Sequence, residues 1–434
     1  MSLSELDLGG VWTSLDKSFS AVGVGSLVND KFEVVVYRDQ VPFGEVLNPT
    51  LLTLPVLHLE NTSVGGSLLD VRNSNTKTNL NGIVALTLES YEFVRGVLVD
   101  SRDEAFSDLW SITSAALTPL RQSVWGENVM QISRREFSAG NICITIDPAK
   151  SVAISRLEST TRYSHTMTFK TKEQFSIGRF LTEIAQPTIA LLEICWQRPI
   201  GAEAMHVVFK GKPCEIIATY LQEKGTERNL NAIVPLIYSD QMDWGLWFAF
   251  CQEHRNVALL LADLLAGGTG FLQNQMLNIC VILADLAKIG KFIPASPGLL
   301  DSKWHAARQA AIAAADLSGF KILVSSKLPR NRIAALGAVT NFVMQTVQEL
   351  GINLPNPESA GRAIIDARNP VAHTSQSIGD FQEMLILLRG ATALATIGLF
   401  RAVFGDETAR ETATKLDDQL TELDRVASEI DQRR

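Results

Sequence analysis

The sequence predicts an α+β protein of several domains, with a β-rich N-terminal domain of antiparallel sheets followed by an all-α helical bundle. The chain has 434 residues, enough for two or three domains, and 46% of them are apolar, so each domain can bury a core. Before about residue 240 the apolar residues stand in short alternating or β-branched runs, and after it they recur at helical spacing. The predicted boundaries are 1–238 for the β-rich domain, 239–405 for the bundle and 406–434 for a charged amphipathic C-terminal helix.

Short alternating or β-branched runs, separated by Asn, Asp, Gly and Pro, dominate the first domain and are typical of antiparallel strands. The predicted strands are 31–37, 82–88, 141–146, 166–170 and 205–209, with 11–12 and 23–27 as an opening hairpin. The domain is long enough for two sheets, or for two lobes that meet near Gly126. Segment 176–196 has helical spacing, so we expect a helix packed on the sheets and broken or kinked at Pro187.

After residue 240 the apolar residues recur at the spacing of amphipathic helices. The predicted helices are 246–265, 270–288, 302–317, 332–350, 358–372 and 381–404. Helices of these lengths joined by short connections predict a bundle.

The tail repeats apolar residues at alternating steps of four and three, which is a heptad seam. Its members are Ala409, Ala413, Leu416, Leu420, Leu423, Ala427 and Ile430. Two interpretations are open: a helix that lies back on its own bundle, or a surface for self-association.

Charge and cysteine content narrow the classes of function. A net charge of −8 argues against non-specific coating of DNA and leaves room for a local basic RNA site. The five cysteines form no CxxC or Cys/His cluster, which argues against structural zinc and predicts reduced, buried thiols in a cytoplasmic protein. The first residues lack an apolar core, so we expect no secretory signal, and polar residues interrupt the longest apolar stretch, so we expect no membrane span.

Basic residues outnumber acidic ones between Lys288 and Arg332. The candidates for holding RNA phosphates are Lys327, Arg330 and Arg332 in this stretch, and Arg362 further on. The alternative is a solvated loop that caps a helix.

The most informative residues are 368–373, with the sequence Arg-Asn-Pro-Val-Ala-His. A guanidinium holds phosphate and an imidazole moves a proton, so Arg368 and His373 together suit work on a phosphodiester. Asn369 can orient His373 or a ribose hydroxyl. Asp366 can tune the charge state of either Arg368 or His373. An Arg and a His near a helix end also often cap carbonyls or form surface pairs.

The natural reaction of such a set is attack of an RNA 2′-hydroxyl on the neighbouring phosphate. His373 serves as general base or acid, and Arg368 stabilises the charge that develops on the phosphate oxygens. No carboxylate pair with metal spacing accompanies the motif, so we expect neither metal nor cofactor. On a regular helix the two residues lie about 140° apart. Either a distortion at Pro370 or the meeting of two copies of the helix would bring them together, and the second requires a dimer.

Segment 363–373 (AIIDARNPVAH) resembles the motif of the HEPN superfamily, whose ribonucleases carry Arg, a polar residue, a short spacer and His. Segment 271–288 is similar to the early helix of the ApeA-like branch, and 181–208 to a block of the ApeA N-terminal domain. The resemblance implies a HEPN bundle, homodimerisation through it, metal-independent ribonuclease activity and a role in phage defence. It maps Arg368, Asn369 and His373 onto the family motif. Many relatives carry a glutamate where this chain has Ala284-Asp285.

Two other functions are open. In the first, the helical domain is a catalytically silent HEPN module that binds RNA or a nucleotide and acts as a scaffold. In the second, the β domain binds carbohydrate or protein and the bundle serves only to form oligomers. In the leading interpretation the partners are RNA, with tRNA a candidate, a second copy of the chain, and an unknown phage or cellular trigger for the N-terminal domain.

Overall fold

The computed structural model forms two units, described here as the strand unit and the helical unit. The strand unit is Met1–Leu192 with Pro199–Leu230, and the helical unit is Glu193–Arg198 with Asn231–Arg434. The structure describes residues 10–14, 20–28, 31–39, 53–60, 65–78, 83–114, 134–154, 159–221, 233, 243–266, 271–290, 332–373 and 381–433. The boundary predicted at residue 238 and the meeting of lobes predicted near Gly126 lie outside these residues. An α+β class is confirmed, with strands first and helices second.

The strands of the first unit belong to one antiparallel sheet. They are β1 Gly10–Ser14, β2 Ser20–Val28, β3 Lys31–Asp39, β4 Thr53–Glu60, β5 Gly66–Thr78, β6 Ile83–Ser90, β7 Glu92–Arg95, β8 Ser107–Ser114, β9 Arg135–Ala139, β10 Ile142–Ile154, β11 Ser159–Phe175, β12 Ala204–Phe209 and β13 Lys212–Ala218. Each predicted strand segment coincides with one of these, and β1 pairs with β2 as the opening hairpin. The sequence did not indicate β4, β5, β7, β8, β9 or β13.

Six of the strands close into an antiparallel barrel in the order β4-β1-β2-β3-β6-β5, with β4 also paired to β5. Alternation produces its core, because successive side chains of a strand point to opposite faces. On β3, Phe32, Val34 and Val36 are buried, whereas the intervening residues are partly exposed. Trp12, Leu57 and Leu88 join the same cluster. Beyond the barrel, the sheet continues from β5 through β7, β13, β12, β8, β11 and β10 to β9.

One helical segment packs on the sheet of the strand unit, as predicted. It consists of α1 Ile177–Phe180, a π-helical turn Leu181–Ala185 and α2 Gln186–Trp196. The ring of Phe180 stacks on Trp110 with centroids 4.4 Å apart. Pro187 has no amide hydrogen and its ring crowds the preceding turn. The helix widens into a π turn just before Pro187 and continues past it, so of the predicted break or kink the break is absent and the irregularity is a π turn.

The helical unit contains most of the predicted helices. They are α3 Trp244–Leu265, α4 Leu272–Ile289, α5 Arg332–Leu350, α6 Pro357–His373, α7 Phe381–Phe404, α8 Asp406–Lys415 and α9 Asp417–Gln432. The predicted helix 302–317 lies outside the described residues. Among those described, α7 alone is long and apolar enough to cross a membrane, and 78% of its apolar window is buried inside the protein. Such burial is typical of a core helix, and α7 contacts α3, α4, α6, α8 and α9.

The helices α5 and α6 form an antiparallel hairpin. The connection 351–356 is too short to return to the start of a 19-residue helix, which is about 28 Å long. Gly351 ends α5 with a φ of 68°, and the amide of Ile352 donates to the carbonyl of Val347 at 3.0 Å. At the closest approach a Cβ on Gly361 would lie 2.9 Å from the Cα of Thr340. The hairpin therefore depends on a residue without a side chain at this crossing.

The tail is two helices, not the single helix predicted, because the chain turns at Leu416 (φ −104°, ψ 11°). The seam is buried against the chain's own helices. A Cβ on Gly390 of α7 would lie 2.6 Å from the Cβ of Leu423, and the amide of Asn356 donates to Asp424 at 2.8 Å. This packing supports the interpretation in which the tail lies back on its own bundle.

Candidate functional site at the end of a helical hairpin

The Arg-Asn-Pro-Val-Ala-His segment occupies the last turns of α6. Pro357 starts the helix, where its missing amide hydrogen costs nothing, and Glu358 stands in the first turn. The helix assignment continues through Pro370 to His373 without interruption. The inner face, formed by Ala360, Gly361, Ala363, Ile364 and Ala367, is buried. The Sγ of Cys280 on α4 lies 3.8 Å from the carbonyl oxygen of Ile364, so α4 packs directly against this helix.

Helical periodicity assigns the predicted site residues to two different faces of α6. Asn369 and His373 follow Arg362 by seven and eleven residues, which places all three on one face, together with the half-buried Asp366. Arg368 follows Gly361 by seven residues and therefore lies on the face toward α5. On a regular helix, therefore, one copy of α6 does not place Arg368 and His373 side by side.

The basic residues predicted to bind RNA fall in three different settings. Lys327 and Arg330 lie outside the described residues. Arg332 is the first residue of α5, at the end of the hairpin where α6 finishes. Arg362 is exposed on α6, and its guanidinium forms an ion pair with Glu358 one turn earlier. The structure thus places Arg332, and not Arg362, at the same end as residues 368–373.

The helix α4 carries Asp285, the residue in which the sequence departs from the motif that it resembles. Its carboxylate accepts a hydrogen bond from Lys288 at 2.6 Å, and both side chains are exposed at the surface (38% and 62%). A pair of this kind contributes little to stability. Asp285 is therefore engaged within its own helix, one turn from the helix end.

Sequence reasoning missed a buried charge cluster in the strand unit. The carboxylate of Glu92 is only 6% exposed and accepts hydrogen bonds from Arg102 Nε (2.7 Å), Arg102 Nη2 (2.8 Å) and the hydroxyl of Tyr220 (2.9 Å). The carboxylate of Asp70 lies 3.4 Å from Arg102 Nε. No local spacing reveals the cluster, because sheet pairing assembles it: Glu92 is opposite Leu69 on one side and Ala218 on the other.

The electrostatics of this cluster are those of a satisfied structural ion pair. The hydrogen bonds that Arg102 donates to Glu92 raise the pKa of Arg102 above its ordinary value, despite partial burial. Burial, reinforced by the Glu92 charge, raises the pKa of Tyr220, so its hydroxyl stays a donor. Burial also raises the pKa of Asp70, more than Arg102 lowers it. The cluster joins β5, β7 and the segments after β7 and β13, and we assign it to stability.

The cysteines differ in one respect from the prediction. Cys195, Cys214, Cys251 and Cys280 are buried, but Cys143 on β10 is exposed. Burial raises the pKa of Cys251 to about 12, so it is an unreactive thiol at neutral pH. Within the described ranges, no three His, Cys, Asp or Glu side chains are grouped to hold a metal ion. Chemistry without a metal remains a prediction from the motif.

Comparison with known proteins identifies no relative, since no family model, no curated protein and no solved structure matches the chain. Membership of the HEPN superfamily therefore stays an expectation that depends on the motif and its helical setting.

Proposed function

We propose that this protein is a metal-independent endoribonuclease of the HEPN type. The observation that carries the proposal is the position of Arg368, Asn369 and His373 on the last turns of α6, a helix whose inner face is buried in the bundle as far as Ala367. A buried inner face holds the helix in place, which is what a catalytic group needs from its support. The chemistry suited to this residue set is transesterification of RNA.

The reaction uses the 2′-hydroxyl of the substrate as nucleophile. His373 removes the proton from this hydroxyl, a bond forms between O2′ and phosphorus, and the bond between phosphorus and O5′ breaks. The leaving O5′ takes a proton from a general acid, and the products are a 2′,3′-cyclic phosphate and a 5′-hydroxyl. Arg368 stabilises the charge on the phosphate oxygens, Asn369 orients the ribose or His373, and Asp366 tunes their charge states. DNA has no 2′-hydroxyl and is spared.

The site is proposed to form between two copies of the chain. Arg368 and His373 lie about 140° apart on an uninterrupted helix. Of the two arrangements that would unite them, a distortion at Pro370 or the meeting of two copies of α6, the proposal takes the second. Two α6 helices related by a two-fold axis can each contribute one partner, as in an isologous interface. The proposed assembly is a homodimer through the helical unit.

The biological role rests on the resemblance alone. It suggests a cytoplasmic defence protein whose strand unit senses a phage or cellular trigger and whose helical unit then cuts RNA, with tRNA a candidate, to abort infection. A catalytically silent HEPN scaffold that binds RNA is the second candidate, because the pairing of Asp285 with Lys288 departs from the family pattern.

Purified full-length protein incubated with tRNA and total RNA in EDTA tests the proposal. We expect cleavage that leaves 2′,3′-cyclic phosphate ends. His373→Ala should lower the rate by about 10² to 10⁴-fold, the usual contribution of a general base. Arg368→Ala should lower the rate of cleavage by a similar factor. Arg389→Ala, at an exposed position of α7, should cleave RNA at the wild-type rate.

Circular dichroism on each variant establishes that the fold is intact. Binding of RNA without any cleavage by the wild type would favour the silent scaffold. Products with 3′-hydroxyl ends, or activity that EDTA removes, would contradict the proposed chemistry.

A further inference from the structure

Arg332 and Arg362, which sequence alone does not distinguish, lie at different places on the α5–α6 hairpin. Both were candidates for holding RNA phosphates. Their positions along the hairpin differ relative to the crossing at Thr340 and Gly361, where a Cβ on the glycine would lie 2.9 Å from the Cα of the threonine. This crossing provides a reference point from which both distances can be measured.

Arg332 lies level with the motif. It precedes Thr340 by eight residues on α5, and Asn369 follows Gly361 by eight residues on α6. Because the helices are antiparallel, both positions lie about 12 Å from the crossing in the same direction. Packed helix axes are about 8–10 Å apart. The start of α5 and the segment 368–373 therefore form one end of the hairpin.

Arg368 lies on the α5 side of its helix. It follows Gly361 by seven residues, close to two full turns, and Gly361 packs on Thr340. Arg332 and Arg368 are thus placed at the same level of neighbouring helices.

Arg362 lies elsewhere. It precedes His373 by eleven residues, or about 16 Å along the axis. Its guanidinium is also occupied by Glu358, so phosphate would have to compete with a carboxylate of the same helix.

We propose that Arg332 is a second phosphate-binding residue of the ribonuclease site, holding a phosphate next to the one that is cleaved. The inference rests on the proposed function and adds the class of substrate: single-stranded RNA long enough to present two successive phosphates. Two arginines at one end of the hairpin suit such a strand, because a guanidinium can pair with one phosphate and release its counterions. Arg362 makes no comparable contribution.

The test measures binding of a short single-stranded RNA to the full-length His373→Ala protein over a range of salt concentrations. Arg332→Ala should raise Kd by roughly tenfold and lower the slope of log Kd against log salt by about 0.7, the loss of one phosphate contact. Arg332→Lys should keep the slope, since it keeps the charge. Arg362→Ala should change Kd by less than about twofold, and Arg389→Ala should match the parent.

Arg332→Gln serves as a second uncharged variant if Arg332→Ala loses helix content, because Gln keeps part of the aliphatic stem that an arginine can pack on its surroundings. If the parent binds RNA and the Arg332 variants bind it equally well, or if Arg362→Ala weakens binding as much, the inference is wrong and the ribonuclease proposal stands. If the parent does not bind and the wild type does not cleave, the proposed function fails and the inference fails with it.

Discussion

Glu92 is a buried charged residue at the centre of a hydrogen-bonded cluster in the strand unit. Its carboxylate is nearly inaccessible to water and accepts three hydrogen bonds, two of them from one guanidinium. Burying an ion is costly unless its partner and its hydrogen bonds are in place. Removing one member therefore leaves the other charged and partly buried, which makes the cluster sensitive to single substitutions.

Glu92→Gln should destabilise the strand unit by about 3 kcal/mol, because it removes the buried counter-ion of Arg102 and leaves only the more exposed Asp70 near it. Tyr220→Phe removes one hydrogen bond and should cost only about 1 kcal/mol. Urea unfolding of the full chain, followed by circular dichroism and fluorescence, measures both. Equal losses in the two variants would contradict the assignment of the main effect to the ion pair.

At the residue scale, sequence predicts only what is local. Arg368, Asn369 and His373 could be selected because they stand within six positions of one another. Glu92, Arg102 and Tyr220 are scattered along the chain and meet only when β7 pairs with β5 and β13. No spacing rule anticipates a meeting of this kind, because strand pairing depends on the whole sheet.

At the element scale, the decisive feature is the close crossing of α5 and α6. Gly361 packs with its α-carbon against the backbone of Thr340, so the approach leaves no space for a methyl group. The hairpin in turn sets the level of Arg332 relative to residues 368–373. Packing at one glycine thus controls the geometry of the candidate site.

Gly361→Ala should lower the free energy of unfolding of the helical unit by about 1 to 2 kcal/mol, because steric strain outweighs the better helix propensity of alanine. Gly337 on α5 is the matched control, since a Cβ there meets nothing within 4 Å. Gly337→Ala should stabilise the same unit by about 1 kcal/mol. Thermal unfolding measures the effect of each substitution. Stabilisation by both substitutions would contradict the close approach of α5 and α6 at Gly361.

The elements that sequence predicted well are those with a strong local period. The α5 and α7 helices begin and end where the apolar spacing indicates. The single tail helix was wrong, because a heptad seam is continuous through Leu416 even though the backbone turns there. Pro187 indicated a break or a kink, and the backbone geometry shows a continuous helix with a π turn directly before the proline.

At the scale of the whole molecule, the order of strand and helical units follows from the change in hydrophobic period, but the closure of the barrel does not. Closure depends on β1 pairing with β4, where Trp12 is opposite Leu59, and on β4 pairing with β5. The lengths of the connections between these strands do not determine which residues pair with one another. The class was therefore predictable and the topology was not.

Assembly is the property of the whole molecule on which the proposed mechanism depends. If each site takes Arg368 from one subunit and His373 from the other, two inactive variants can complement each other. A dimer of Arg368→Ala with His373→Ala retains one site with both residues intact. If both residues act within one subunit, every site in the mixture is defective.

The most direct test is to exchange subunits between purified Arg368→Ala and His373→Ala proteins and measure RNA cleavage in EDTA. Random pairing of equal amounts should restore roughly a quarter of the wild-type rate, because half of the dimers are mixed and each has one complete site. Native mass spectrometry establishes that mixed dimers have formed. A mixture that contains them and still fails to cleave RNA would contradict the shared site.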